Sequence, residues 1–231
     1  EIFPVLSAIF ERIYGESPYK SPTDMGVNMA GNCIIDDAIC QEASRQEIIR
    51  RYYDALNKLA DDRTNEQEVF KIEMIMSQAK ITKEYRKVVK AALDLAEEEG
   101  APAAAIELDD GRIEYGKTSA LLGPCAALIL NALKALANID HKVHLISPLA
   151  IEPIQDLKTT YLGSKNPRLH VDEILIALSI SAATDQNAKL ALEQLPLLQG
   201  AQVHCSSRLA AIDIGTLKKL GLQVTMEPTF S

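Results

Sequence analysis

The sequence predicts a helix-rich α/β protein in which an N-terminal helical segment leads into a mixed sheet covered by helices. Three observations carry this expectation. Apolar residues recur at helical spacing through the first hundred residues, the period changes to that of a β-hairpin just after Gly100, and helical and extended segments then alternate to the end. The 231 residues fall between one large domain and two small ones. The change of period puts the expected boundary at Gly100, giving a helical subdomain over 1–100 and an α/β domain over 101–231. Hairpin, helix, strand is also the layout of a deaminase-like three-layer fold, which the order of elements allows.

Ile2 to Tyr14 place Val5, Leu6, Ile9, Phe10 and Ile13 on one stripe, and Gly15 comes next, where a helix commonly ends. Two prolines, Pro18 and Pro22, keep Glu16 to Met25 out of a helix interior, and Thr23 or Asp24 can cap the next helix. A long helix is predicted from Asp36 to about Ala60, and two more over Glu66 to Ala79 and Thr82 to Glu99, the last stopped by Gly100 and Pro102. Ala103 to Leu108 and Arg112 to Tyr115 read as strands joined by the tight turn Asp109-Asp110-Gly111. Helices then come at Ser119–Asn138, Pro148–Leu162, Val171–Ala183, Gln186–Leu195 and Ile214–Leu220, with strands at Val143–Ile146, Ala201–His204 and Leu222–Thr225.

Composition excludes several classes. Hydrophobic residues make up 47% of the chain, yet no apolar run approaches the roughly 20 residues of a membrane-spanning helix. The formal net charge is -8, with 13 basic against 19 acidic residues up to Gly100 and 11 against 13 beyond it. Neither part offers the basic field of a nucleic-acid binder. Cys33, Cys40, Cys125 and Cys205 are scattered with no C-x-x-C pair, so reduced thiols in a cytoplasmic protein are expected. The chain opens Glu1-Ile2-Phe3-Pro4 without an initiator Met and reads as a piece of a larger protein.

One motif is deceptive. Gly111-Arg-Ile-Glu-Tyr-Gly116-Lys117-Thr118 matches the phosphate-loop pattern G-x-x-x-x-G-K-[ST]. A phosphate loop curls successive N–H groups around an anion and needs small, permissive residues in the middle. Arg, Ile, Glu and Tyr instead alternate as a strand, and Gly111 serves the turn. A weaker expectation survives, that Lys117, Thr118 and Ser119, at the predicted start of the next helix, favour an anion.

Pro124-Cys125 lacks the H-x-E and P-C-x-x-C ligands of a zinc deaminase, since Cys125 is followed by Ala126-Ala127-Leu128. His141 and His144, three apart on a predicted strand, point to opposite faces, and no metal set is predicted. Cys205, beside His204, is assigned to the core for the same alternation.

Two loops concentrate chemistry. Lys158 to Glu173 gathers cations, an imidazole and carboxylates around Gly163 and Pro167. There His170 suits proton transfer with Asp172 or Glu173 orienting it, while Lys165, Asn166 and Arg168 hold an anion. The second loop carries Lys20, Ser21, Asp24 and Asn28 between helices.

The chain resembles the bacterial family catalogued as domain of unknown function 1846. The resemblance lies in Glu16-Ser-Pro-Tyr-Lys-Ser-Pro-Thr-Asp-Met-Gly-Val-Asn-Met-Ala30, Gln46-Glu-Ile-Ile-Arg-Arg-Tyr-Tyr53, Gly100-Ala-Pro-Ala-Ala-Ala-Ile-Glu107, Asn131-Ala-Leu-Lys-Ala-Leu136 and Leu162-Gly-Ser-Lys-Asn-Pro-Arg-Leu-His170. It implies a longer protein whose N-terminal α/β part bears a glycine-rich phosphate loop, this chain being similar to the C-terminal part. It supplies no activity. Family members carry small residues where this chain has Pro124-Cys125, which argues against Cys125 as a shared nucleophile.

Together these readings give an enzyme or binder of a small phosphorylated or carboxylated metabolite. Lys20, Lys117, Lys165 and Arg168 neutralise its charge, His170 handles a proton, and Asp24, Asn28, Asp172 or Glu173 order the site or a Mg²⁺. A nucleotide would enter through the absent N-terminal part. The alternative is a non-catalytic module whose helical part builds a homo-oligomer.

Overall fold

The computed structural model describes residues 2–19 and 36–230. Helix α1 spans Ile2–Tyr14, and its apolar residues Ile2, Val5, Ile9 and Ile13 stay exposed. Gly15 ends it in the left-handed region at φ +84°. The segment with Lys20, Ser21, Asp24 and Asn28 lies outside the described residues.

Helix α2 (Asp37–Asp61) begins where Asp36 Oδ1 accepts the Ile39 N–H at 3.1 Å, the cap its acidic side chain suits. With α3 (Glu66–Gln78) and the inner face of α4 (Lys87–Glu99) it closes a small core around Ile49, Tyr53, Val69, Ile72, Met76 and Val89. The predicted start of α4 at Thr82 moves to Lys87. Residues Lys83–Tyr85 form a 3-10 turn, and Arg86 is extended (φ −82°, ψ 96°) so that its side chain runs inward, buried to 1% exposure.

Strands β1 (Ala103–Glu107) and β2 (Ile113–Lys117) form the predicted hairpin, with Gly111 at φ +81° in its turn. The chain continues through α5 (Pro124–Leu136), α6 (Pro148–Asp156) with a π turn over Leu157–Tyr161, α7 (Val171–Ser181), α8 (Gln186–Leu192), β3 (Gln202–Cys205), α9 (Ala211–Lys219) and β4 (Gln223–Met226). The sheet order is β2-β1-β3-β4, antiparallel except for the β3–β4 pair. The mixed sheet covered by helices is therefore present.

Small residues let both faces of β1 be covered. Ala105 packs with Val88 and Ala92 of α4 on one face, while Ala104 and Ile106 join the main core with Leu128, Ile129 and Leu133 of α5 on the other. Three layers result. Each fully buried Leu or Ile in that core contributes about 1.5–3 kcal/mol of transfer free energy. Gly116 fixes the closest approach, since a Cβ there would come within 2.2 Å of Pro124 O and 2.3 Å of Leu128 N. The second glycine of the phosphate-loop match is thus a helix-packing residue in a strand.

Two further expectations change. Residues 143–146 form no strand: Val143 N–H closes a turn on Asp140 O at 2.9 Å, and Leu145 and Ile146 enter the core from a loop. The helix predicted from Ser119 starts at Pro124, because Leu121 to Gly123 pair with the Leu169 segment instead. Pro124 then occupies the first turn, where a missing N–H costs nothing.

Candidate functional site

The Lys165–His170 loop lies against the Ser119–Gly123 segment. Leu169 N–H donates to Leu121 O at 2.9 Å, Gly123 N–H donates to Leu169 O at 3.2 Å, and Arg168 Nε donates to Ser119 O at 2.7 Å. Gln155 Nε2 bridges both segments through Ala120 O and Pro167 O, each at 3.1 Å. Two sequence-predicted groups, Ser119 and Lys165-Asn166-Arg168, are therefore brought together. Lys165, Asn166 and Arg168 are solvent-exposed. Asn166 Oδ1 accepts the Arg168 N–H at 3.1 Å, which shapes the turn after Pro167.

His170 ends this loop and caps α7. Its side chain is 24% exposed, and Nδ1 lies 2.8 Å from Asp213 Oδ2 in the first turn of α9. The other oxygen, Asp213 Oδ1, accepts the Val171 N–H at 2.8 Å. A carboxylate held from two sides orients the ring and leaves Nε2 as the edge able to face a ligand. The sequence pattern assigns the orienting role to Asp172 or Glu173, and the structure gives it to Asp213.

Glu173 has another task. Its Oε2 accepts the His170 backbone N–H at 2.7 Å and Lys158 Nζ at 2.7 Å, and Lys158 Nζ also donates to Arg168 O at 2.6 Å. Lys158 is nearly buried, so this pair ties the π turn to the loop it supports. Asp172 is half-buried, and its Oδ1 has no hydrogen-bond partner among the described residues.

Lys117 and Thr118 are engaged elsewhere. Lys117 Nζ pairs with Glu99 at 2.9 Å, Thr118 gives both its N–H and its hydroxyl to Pro102 O, and the Ser119 hydroxyl accepts the N–H groups of Leu121 and Leu122. The expected helix start at these residues is absent, and with it the free N–H groups on which their anion role was argued. Beside Ser119 opens a mostly apolar cavity of about 210 Å³ that reaches Lys134 and His144.

Behind His170 lie two thiols the sequence placed in the core. Cys125, in the first turn of α5, and Cys205, at the end of β3, are both buried and free. The hydrogen bond with Cys205, then burial, holds the Cys125 thiol well above its ordinary range. It is a protonated core group rather than a nucleophile. Among the described residues no three His, Cys, Asp or Glu side chains converge closely enough to hold a metal ion. Among them, too, no helix is long and apolar enough to cross a membrane.

Asp213 escapes a reading of the sequence because it lies 43 residues from its partner. Its local signal is an acid between Ile212 and Ile214 at a helix start, a pattern that fits a cap equally well.

The family model described as the C-terminal domain of unknown function DUF1846 matches residues 84–231, and the N-terminal DUF1846 model matches residues 1–80. The chain thus takes in sequence from both models, where the resemblance had pointed to the C-terminal part. A UPF0371 protein of Corynebacterium glutamicum is 56% identical over 233 residues, covering 100% of this chain and 46% of the relative. UPF0371 proteins of Corynebacterium diphtheriae and Streptococcus pyogenes serotype M3 are 54% and 50% identical, also over all of this chain, and it covers 46% and 47% of them. The chain spans about half the length of the curated relatives it matches.

Proposed function

We propose, because the chain belongs to the DUF1846 family and that family has no assigned reaction, a function read from the site alone: binding of a small phosphorylated or carboxylated metabolite at the His170 end of the sheet, with proton transfer by His170. The observation that carries this reading is the His170–Asp213 pair, 2.8 Å apart at a partly exposed position. An imidazole fixed through Nδ1 presents Nε2 as acid or base. Arg168 and Lys165 stand in the same loop as the anion-neutralising groups, and among the described residues the Arg168 side chain gives Nε to Ser119 O. Arg168 contacts the segment that follows β2, at the end of the sheet where β2, β3 and β4 finish, the end at which α/β sheets commonly place ligands. In this reading, sequence present in the longer relatives and outside this chain completes the site.

The test is a thermal-shift and calorimetric screen of nucleotides, phosphometabolites and small carboxylates against the chain and a full-length relative. A hit should weaken at least tenfold in Arg168→Ala, and a turnover step should fall in His170→Gln while binding persists. If Lys165→Ala, Arg168→Ala and His170→Ala leave every hit unchanged, the site is wrong.

A second reading, a helical module that assembles copies of the chain, is favoured by α1. Its apolar stripe of Ile2, Val5, Ile9 and Ile13 is 44–68% exposed. Light scattering that shows a monomer at micromolar concentration would end that reading.

A further inference from the structure

At the other end of the sheet β1 finishes while β3 and β4 begin, and Glu107, Gln202 and Gln223 stand side by side in register. The N-terminal half of α2 crosses over them through Glu42, Gln46 and Arg50. Between the two lies an open cleft of about 660 Å³. It is separate from the His170 site and independent of the function proposed for it.

Beneath its lining residues Gln46, Gln202 and Gln223 lies a cation that touches no counter-charge among the described residues. Arg86 is 1% exposed, and its guanidinium donates to neutral oxygens: Nε to Thr225 Oγ1 at 3.1 Å, Nη2 to Val203 O at 3.0 Å and Gln223 O at 2.5 Å, and Nη1 to the side-chain oxygens of Gln202 and Gln46. Arg50, whose Nε and Nη2 pair with Glu47 Oε2 at 2.9 and 2.7 Å, approaches the same Gln202 Oε1 with Nη1 at 3.4 Å. Two guanidinium groups thus meet on one amide oxygen, although a carboxylate oxygen in that place would make stronger, charge-assisted bonds.

The rim holds the complementary case. Glu42 takes neutral donors, the Tyr85 hydroxyl on Oε2 and Gln46 Nε2 on Oε1 at 2.9 Å. Gln46 therefore stands between the two charges, its oxygen turned to Arg86 and its nitrogen to Glu42. Arg86 beneath the cleft and Glu42 on its rim are each held by uncharged groups, the lining carboxylate Glu107 is paired with Lys87 at 2.7 Å, and the two unpaired signs complement a small molecule that carries both.

We propose that this cleft binds an α-amino acid as its zwitterion, the carboxylate replacing Gln202 Oε1 between Arg50 and Arg86 and the ammonium resting on Glu42. The side chain of the ligand would lie toward Ala38 and Ile39, which line the open part.

The experiment titrates the full 231-residue chain with each standard L-amino acid by calorimetry, alongside the N-acetyl and methyl-ester forms of any that bind. At least one amino acid should bind, and blocking either charge should weaken it roughly tenfold or more. Arg50→Ala and Glu42→Gln should each cost a similar factor, while Glu173→Gln at the opposite end should leave the titration unchanged. Arg50 and Glu42 sit at the cleft wall rather than in a core, and circular dichroism confirms that each variant is folded. Failure of every amino acid to bind would overturn the proposal. So would binding that survives both variants, or an N-acetyl form that binds as tightly as its parent.

Discussion

At the His170 end of the sheet the buried cation Lys158 sits 2.7 Å from the carboxylate of Glu173, whereas at the Gln202 end Arg86 is buried more deeply and meets amide, hydroxyl and carbonyl oxygens. The contrast comes from the side chains. A lysine ammonium concentrates its charge, and Lys158 meets a counter-ion where it leaves water, while a guanidinium spreads its charge over five donors and can be satisfied by several neutral acceptors in a plane. The first arrangement is closed, with its charges spent on each other. The second leaves a charge whose field still reaches the cleft.

The largest expected effect breaks the second arrangement. Arg86→Met should take a buried donor from Gln223 O, Val203 O and Thr225 Oγ1, of which Val203 O keeps the Thr225 hydroxyl and Thr225 Oγ1 keeps the His204 ring, at roughly 1–3 kcal/mol for each acceptor left short where no water enters. A loss of about 3–5 kcal/mol in urea unfolding is expected, and a loss under about 1 kcal/mol would show that Arg86 is a bystander. Glu173→Gln breaks the first arrangement more gently. Lys158 loses its counter-charge but keeps Arg168 O, and Glu173 is 23% exposed, so about 2 kcal/mol is expected by the same measurement.

Acid should act on a third buried arrangement, a titrating pair that follows Gln202 along β3 toward the carboxyl ends of β3 and β4. His204 is fully buried under Tyr53, with ring centroids 4.9 Å apart, and its Nε2 stands 3.3 Å from Glu227 Oε1. Burial holds the imidazole below its ordinary value of 6.5, an effect only partly offset by Glu227. Burial alone would raise Glu227, but hydrogen bonds from His204 and Tyr53 outweigh it and hold the carboxyl below 4.5. Both groups bind protons more readily in the unfolded chain, so both contributions are whole at neutral pH and are lost on acidification. The melting temperature should begin to fall below about pH 6.5 through His204, and again below about pH 4.5 through Glu227. His204→Gln should remove the first decline and shrink the second, which the Tyr53 hydroxyl still supports. A melting curve flat from pH 7 to 5 would contradict the assignment.

Legibility in the sequence divides along physical lines. The helical stripes, the hairpin and the close of α1 at Gly15 can be read because each rests on local spacing or on one residue's backbone freedom. So can the rejection of the phosphate loop, whose Ile113 to Tyr115 run is a strand and whose Gly116 is needed by α5. The strand expected at residues 143–146 fails, because Leu145 and Ile146 are equally buried in a loop and a strand needs a partner that spacing does not reveal. His170 and Arg168 can be picked out by their density in one loop. Asp213, Arg86 and Gln202 cannot, because their roles arise from contacts 43 and 116 residues apart in sequence.

The smallest effect tests where the His170 site ends. Lys117 is an anion ligand by the sequence pattern, but in the fold it pairs with Glu99 at the end of α4, with 61% of its side chain exposed. Lys117→Ala should change unfolding stability by at most about 0.5 kcal/mol, the scale of an exposed ion pair that solvent and salt already weaken. It should also leave anion binding at the His170 end unaltered, because the N–H groups of Thr118 and Ser119 are spent on Pro102 O and Leu122 O and offer an anion nothing beside that lysine. The two readouts answer different questions. A tenfold loss of binding at unchanged stability would extend the site to Lys117 and break its separation from the Arg168 loop. A binding constant that stays level across the Lys117 variant and falls in Arg168→Ala would confine the site to the loop that His170 ends.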